Sequence, residues 1–275
     1  MQYNATSKEE LNAQLIEAAE AGNIENVKKL LKQGAKVNAR DNEGWTAMMK
    51  AAEKGHLDVV KFLVEQRAEI DARSYYGWTA LMEATWKGQL DIVKLLVEHG
   101  ADVNAMSKNG DTAMMFAASW GHLDVVEYLA EHGAEVDART KDGWTALMKA
   151  AEKGHLGVVR FLVERGVDVN ARSNWGWTAM MIAALNGQLD VVKYLAEHGW
   201  NPSIENNEGK TAAMIARKRG YNDIADYLDS FTQQKKIINS MREDSERLTL
   251  KQDIKRMLRT GQEYNAAKYG VSYAV

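Results

Sequence analysis

Apolar residues return along this chain at helical spacing, in short bursts separated by polar turns. In residues 57–65, Val59, Val60, Phe62 and Leu63 share one stripe and Asp58, Lys61 and Glu65 fall off it, as an amphipathic helix requires. The burst before it, Ala47-Met48-Met49-Lys50-Ala51-Ala52, is shorter and small-sided. Alanines there predict a helix that neighbouring backbone approaches closely. Both bursts recur together: GWTAMMKAAEKGHLDVVKFLVE at 44–65 comes back as GWTALMKAAEKGHLGVVRFLVE at 143–164. Blocks 41–73 and 140–172 share 21 of 33 positions.

Glycines keep the period. Gly44, Gly77, Gly110, Gly143, Gly176 and Gly209 lie 33 residues apart, and so do Gly22, Gly55, Gly88, Gly121, Gly154, Gly187 and Gly220. A third series runs Gly34, Gly100, Gly133, Gly166 and Gly199, with Arg67 in the missing place. In each unit the first glycine permits a turn at positive φ, and a threonine two positions on (Thr46, Thr79, Thr112, Thr145, Thr178, Thr211) caps the short helix. The second glycine ends that helix. An acid (Asp58, Asp91, Asp124, Asp190) then opens the amphipathic one, where the helix dipole favours negative charge. A unit of this size cannot bury its own apolar face, so the units must stack.

Loop, helix, turn, helix in register over residues 8–231 resembles the ankyrin-repeat family. The resemblance implies an all-α solenoid of stacked helix-turn-helix units joined by β-turn or hairpin loops. It implies an N-terminal capping repeat at 8–40 with Glu9, Glu10 and Asn12 on its polar side, five full repeats at 41–205, and a C-terminal cap at 206–231. The family's Thr-Pro-Leu-His becomes Thr-Ala-Leu/Met-Met here, so Met49, Met82, Met115, Met148, Met181 and Met214 stand where the family places histidine. Flexible apolar filler replaces a hydrogen-bonded ladder. Arg67 in a left-handed position costs about 1 kcal/mol, and Gly157 replaces a helix-opening acid at a similar cost.

Composition adds limits. The 275 residues are 45% apolar and 27% charged with net charge −3, a globular balance with no push toward polyanions. Residues 232–275 carry nine Lys/Arg against five Asp/Glu, so the remainder holds −7. Leu248, Leu250, Ile254, Met257 and Leu258 approximate one helical face, ringed by Lys251, Lys255, Arg256 and Arg259. The expected role of this basic extension is an added helix docking on the array; the other reading is a recognition segment for a partner or membrane surface. No apolar run reaches a membrane-spanning length, and MQYNATSKEE lacks the form of a signal peptide. The expected compartment is the cytoplasm, or a host cell's cytoplasm for a secreted effector, and the expected state is a monomer.

Catalytic chemistry finds no foothold. Zero cysteines remove thiolate ligands and nucleophiles. His56, His122 and His155 share one repeat position and His99, His132 and His198 another. Equivalent positions in stacked units lie about 10 Å apart, too far to share one ion. No phosphate-binding glycine loop, nucleophile elbow or HExxH is present. The sequence therefore reads as a non-enzyme with no cofactor and no metal.

Surface remains. By the resemblance, partners bind the concave side made of loop tips and first helices. Trp45, Trp78, Asp111, Trp144, Trp177 and Lys210 sit there at one recurring position. Tyr75, Tyr76, Glu83, Trp86, Phe116, Trp120 and Trp175 break the repeat, and irregular residues are the ones packing does not demand in every unit. Tyr75, Tyr76, Trp78, Glu83, Trp86, Asp111, Phe116 and Trp120 are expected to form one aromatic patch on repeats three and four. The leading reading is a module for a protein or peptide partner. A receptor for a small cation or methylated peptide is the alternative, with a weak likeness to the methyl-lysine-reading ankyrin domains of histone methyltransferases. Nucleic acid or nucleotide comes third: Arg40, Arg73, Arg139 and Arg172 recur before the loops, but the repeat region is acidic.

Overall fold

The computed structural model describes residues 7–243 and residue 252. The chain divides into two compact units, Met1–Ala225 and Asp226–Val275. The first is built from helix pairs: α1 (Lys8–Glu20) with α2 (Ile24–Lys32), α3 (Ala47–Lys54) with α4 (Leu57–Glu65), and α5 (Ala80–Trp86) with α6 (Leu90–Glu98). Then come α7 (Ala113–Trp120) with α8 (Leu123–Glu131), α9 (Ala146–Lys153) with α10 (Leu156–Glu164), α11 (Ala179–Leu185) with α12 (Leu189–Glu197), and α13 (Ala212–Arg219). First helices stack on first helices from α1 through α13, and second helices follow the same order from α2 to α12. Among the described residues the only β feature is a bridge between Arg40 and Thr46. The fold is the all-α solenoid that the periodicity implies.

Local chemistry starts each helix. Thr46 Oγ1 accepts from the Met49 N–H at 3.3 Å, and the same bond recurs at Thr79, Thr112, Thr145, Thr178 and Thr211. It satisfies one of the donors that a helix start leaves unpaired. Ala47, Met48, Met49, Ala51 and Ala52 are all buried, so the first helix is covered on nearly every side. The second helix buries only the stripe Val59, Val60 and Leu63, which is why its other face tolerates charge. Five of the six ladder methionines are sealed in the core, whereas Met214 is 54% exposed. It lies on α13, the last first-helix before the repeat pattern ends.

Neighbouring units are also sewn together through polar groups. Backbone N–H groups of Tyr75, Lys108, Lys141, Asn174 and Asn207 donate to the carbonyls of Glu43, Tyr76, Asn109, Asp142 and Trp175. Such a close approach explains the loop glycine. A Cβ on Gly77, where φ is +78°, would stand 2.8 Å from the Lys108 nitrogen. On the other side, Asn104 Oδ1 accepts from Glu135 N at 2.8 Å and Asn170 Oδ1 from Asn201 N at 2.9 Å. Arg67 adopts φ 59° in place of the third glycine.

In the second unit Thr232 Oγ1 donates to the Leu228 carbonyl at 2.7 Å, and Ile237, Ile238 and Met241 are exposed. Residues 226–243 of this unit are helical. The amphipathic stretch read from Leu248 to Leu258, with its lysines and arginines, lies outside the described residues, as does 264–275.

Candidate functional site

The ring-bearing positions belong to three adjoining first helices and the loop tips before them. Trp78 opens the face just ahead of the Thr79 cap, and Trp86 closes α5 one turn beyond Glu83. Phe116 lies one unit after Glu83, and Trp120 ends α7. Stacking brings their rings into contact. Trp45 meets Trp78 edge-on at 6.3 Å, Trp78 meets Trp86 at 5.8 Å, and Trp86 meets Trp120 at 6.2 Å. Phe116 tilts against Trp78 at 4.4 Å. These are the separations at which aromatic pairs attract beyond simple burial. The cluster is not submerged: Trp120 is 55% exposed, and Tyr75 and Tyr76 are 58% and 57% exposed.

Between the rings runs a cleft of about 560 Å³, walled by Trp45, Trp78 and Trp86 and rimmed by Tyr76 and Asn109. Glu83 lines it with only 2% of its surface exposed, and no donor reaches its Oε1. Burial pushes this carboxyl from an ordinary 4.5 up to about 8; Glu53 adds to the rise, while Lys50, Lys87 and Lys54 oppose it. The acid is therefore mostly protonated at neutral pH. Two ring faces already hold the chain's own ammonium groups. Lys50 Nζ lies 5.5 Å from the centre of Trp45, and Lys87 Nζ lies 3.6 Å from that of Trp86.

The other anticipated residues are distributed differently. Tyr75 lies over Gly44 and is absent from the cleft lining. Asp111 forms an ion pair with Lys149 at 3.0 Å and lines a neighbouring, more polar cleft with Trp144. Trp144, Trp175 and Trp177 meet around a smaller hollow of about 200 Å³ with Ile182 and Leu185. Ring contacts thus join Trp78, Trp86, Phe116 and Trp120, with Glu83 and Tyr76 lining the cleft beside them, while Asp111 is held by its lysine. Glu43, Trp45, Lys50, Glu53, Lys108 and Asn109 also line the main cleft. The repeat carried a signal for all of them: Glu43, Trp45, Lys50 and Glu53 precede Tyr76, Trp78, Glu83 and Trp86 by one period, and Lys108 and Asn109 follow Tyr75 and Tyr76 by one.

The recurring histidines and arginines are structural. His56 Nε2 donates to the Glu20 carbonyl at 2.9 Å, His122 to Trp86 and His155 to Ser119, each binding the unit before it. Arg40 and Arg139 donate to the carbonyls of Arg73 and Arg172, and Arg172 to Glu205. Three of the four arginines offered for phosphate contacts thus fasten one loop to the next, which weakens the nucleic-acid reading. Among the described residues no His, Cys, Asp or Glu group is arranged to hold a metal ion. None of the described helices is long and apolar enough to cross a membrane.

Two comparisons bear on this architecture. The sequence model of a family described as ankyrin repeats (3 copies) matches residues 15–107, 102–173 and 166–237. A mitochondrial disaggregase of Bos taurus is 55% identical over 38 residues, 14% of this chain and 6% of that protein. That match is little longer than one 33-residue unit of this chain.

Proposed function

Because this chain belongs to the ankyrin-repeat family, we propose that it binds a protein or peptide partner through the aromatic face of repeats three and four. Ankyrin repeats generally mediate protein–protein interaction, and the stack as a scaffold does not choose the partner. The observation that carries the proposal is the connected set Trp78, Trp86, Phe116 and Trp120, partly open to solvent. Three of the four break the repeat. A linked run of partly exposed rings on one face is the composition of interface hot spots. Such side chains supply contact area at low entropic cost. We read the chain as non-catalytic, the cleft serving recognition only.

The test is selection of binders from a random peptide display library on the full chain, followed by calorimetry on the best peptide. Trp120→Ala is the cleaner probe because that side chain is mostly exposed, whereas Trp86 is half-buried against two other indoles. Loss of at least about 30-fold in affinity with an unchanged unfolding curve is expected. Unchanged affinity places the interface elsewhere.

A further inference from the structure

We propose that the cleft floored by Glu83 is a site for an alkylammonium group, the end of a lysine side chain carried by the bound partner, methylated or not. The inference rests on the reading of the face given above and names what the face selects.

Glu83 is a residue the scaffold does not require. At its position the adjoining repeats carry Lys50 and Phe116, and later ones Lys149 and Ile182. Of the full repeats, this one alone has an acid there. Packing buries that acid to 2% exposure, and its Oε1 is left without a donor. A buried oxygen in that condition is destabilising until a donor arrives. The cleft beside it is open to a ligand, so a donor can arrive from outside.

Ring chemistry narrows the donor's charge. Indole faces attract cations through their quadrupole, and here Lys50 and Lys87 already lie over Trp45 and Trp86. An anion would meet the negative faces of the indoles and, once Glu83 ionises, a carboxylate. A neutral apolar group would fill the walls and leave Oε1 unpaired. An alkylammonium satisfies walls and floor together: its methylene or methyl groups take an indole face, displacing Lys50 or Lys87 where these already lie, and its charge lies on the carboxylate.

Proton linkage supplies a second handle. The charged groups influencing Glu83 are Glu53, Lys50 and Lys54 on α3 and Lys87 just after α5. Glu43 and Lys108 of the loops share the cleft, and α7 on the other side carries no titratable residue. Burial holds the free acid protonated up to about pH 8. Cation binding needs the carboxylate, so affinity should rise about tenfold per pH unit below 8 and level off above it.

The experiment titrates the full chain with three probes: Nα-acetyl-lysine amide, its Nε-trimethyl form and the uncharged tert-butyl isostere. Tryptophan fluorescence and calorimetry provide the readouts. Both cations are expected to bind at least about tenfold more tightly than the isostere at pH 8 and to weaken toward pH 6. Their ratio tells which form the site prefers. Glu83→Gln should remove that advantage and leave the isostere unchanged. Equal binding of isostere and cations, pH-independent cation binding, or cation affinity unaltered in Glu83→Gln overturns the site, and the first two need no variant. A library-selected peptide that loses affinity with Trp120→Ala but binds Glu83→Gln normally keeps the aromatic face and removes the ammonium site.

Discussion

Trp45 with Lys50 and Trp144 with Lys149 are the same construction made twice. Each ammonium lies 5.5 Å from the centre of its indole, in repeats that share 21 of 33 positions. Their surroundings differ. Lys149 is drawn into an ion pair with Asp111 at 3.0 Å, and Trp144 looks onto Trp175, Trp177, Ile182 and Leu185. Lys50 instead borders a cleft whose floor is an unpartnered acid and whose rings continue through Trp78 and Trp86 to Trp120. Two copies of one scaffold thus carry two chemistries. The difference comes from residues that break the period, and those are the residues free to answer to a partner.

The two regions differ most at Glu83. An acid whose carboxyl is raised from 4.5 to about 8 stays protonated in the fold while the unfolded chain ionises. Between those values the unfolded state binds fewer protons, so stability falls as pH rises. Glu83→Gln should therefore stabilise the protein at pH 8, by up to about 4 kcal/mol. The gain should vanish near pH 3, where both states are neutral. Urea unfolding at the two pH values measures it. A gain independent of pH would mean that the carboxyl is solvated and that the two regions are chemically alike.

If the scaffold is common to both regions, breaking it should cost the same in each. Gly77 and Gly176 hold φ of +78° and +77°, and a Cβ on either would stand within 3.0 Å of the following loop's backbone. Alanine at either position is expected to destabilise by about 2–3 kcal/mol, from backbone strain and collision. A difference above about 1 kcal/mol between the two variants would show that the loops are not equivalent.

The smallest effect separates the near-copies themselves. Arg67 occupies a left-handed position, with φ 59°, where the copy has Gly166 at +83° with open space where a Cβ would stand. Arg67→Gly should stabilise and Gly166→Arg destabilise, each by about 1 kcal/mol. Thermal unfolding would show melting temperatures moving in opposite directions. Shifts of the same sign would mean that something other than backbone strain distinguishes the sites.

Much of this was readable from the amino-acid order because one period recurs so many times. Thr46 and its counterparts announce the caps, Gly77 and its counterparts the close loops, and Met49 and its counterparts the filled core. Legibility ended where an environment depends on several units at once. Glu83 is marked in the sequence as an irregular residue of the aromatic face, but its burial follows from what neighbouring loops and helices place around it. The sequence places Asp111 beside the rings but does not show its ion pair with Lys149, a full repeat later plus five residues. Arg139 and Arg172 looked like a basic groove, though their guanidinium groups serve the next loop's carbonyls. Met214 shares the ladder of Met181 but not its burial, because burial belongs to the neighbour rather than to the residue.

Two tryptophans allow the central claim to be put to one measurement. Trp120 and Trp175 are exposed to nearly the same degree, 55% and 52%, one beside the acid-floored cleft and the other in the later repeats. Calorimetry of a library-selected peptide against Trp120→Ala and Trp175→Ala compares loss of the same side chain at two places. The expected result is a loss of about 2 kcal/mol or more for Trp120→Ala and under about 0.5 kcal/mol for Trp175→Ala. Equal losses, or the larger loss at Trp175, would contradict an interface on the aromatic face of repeats three and four.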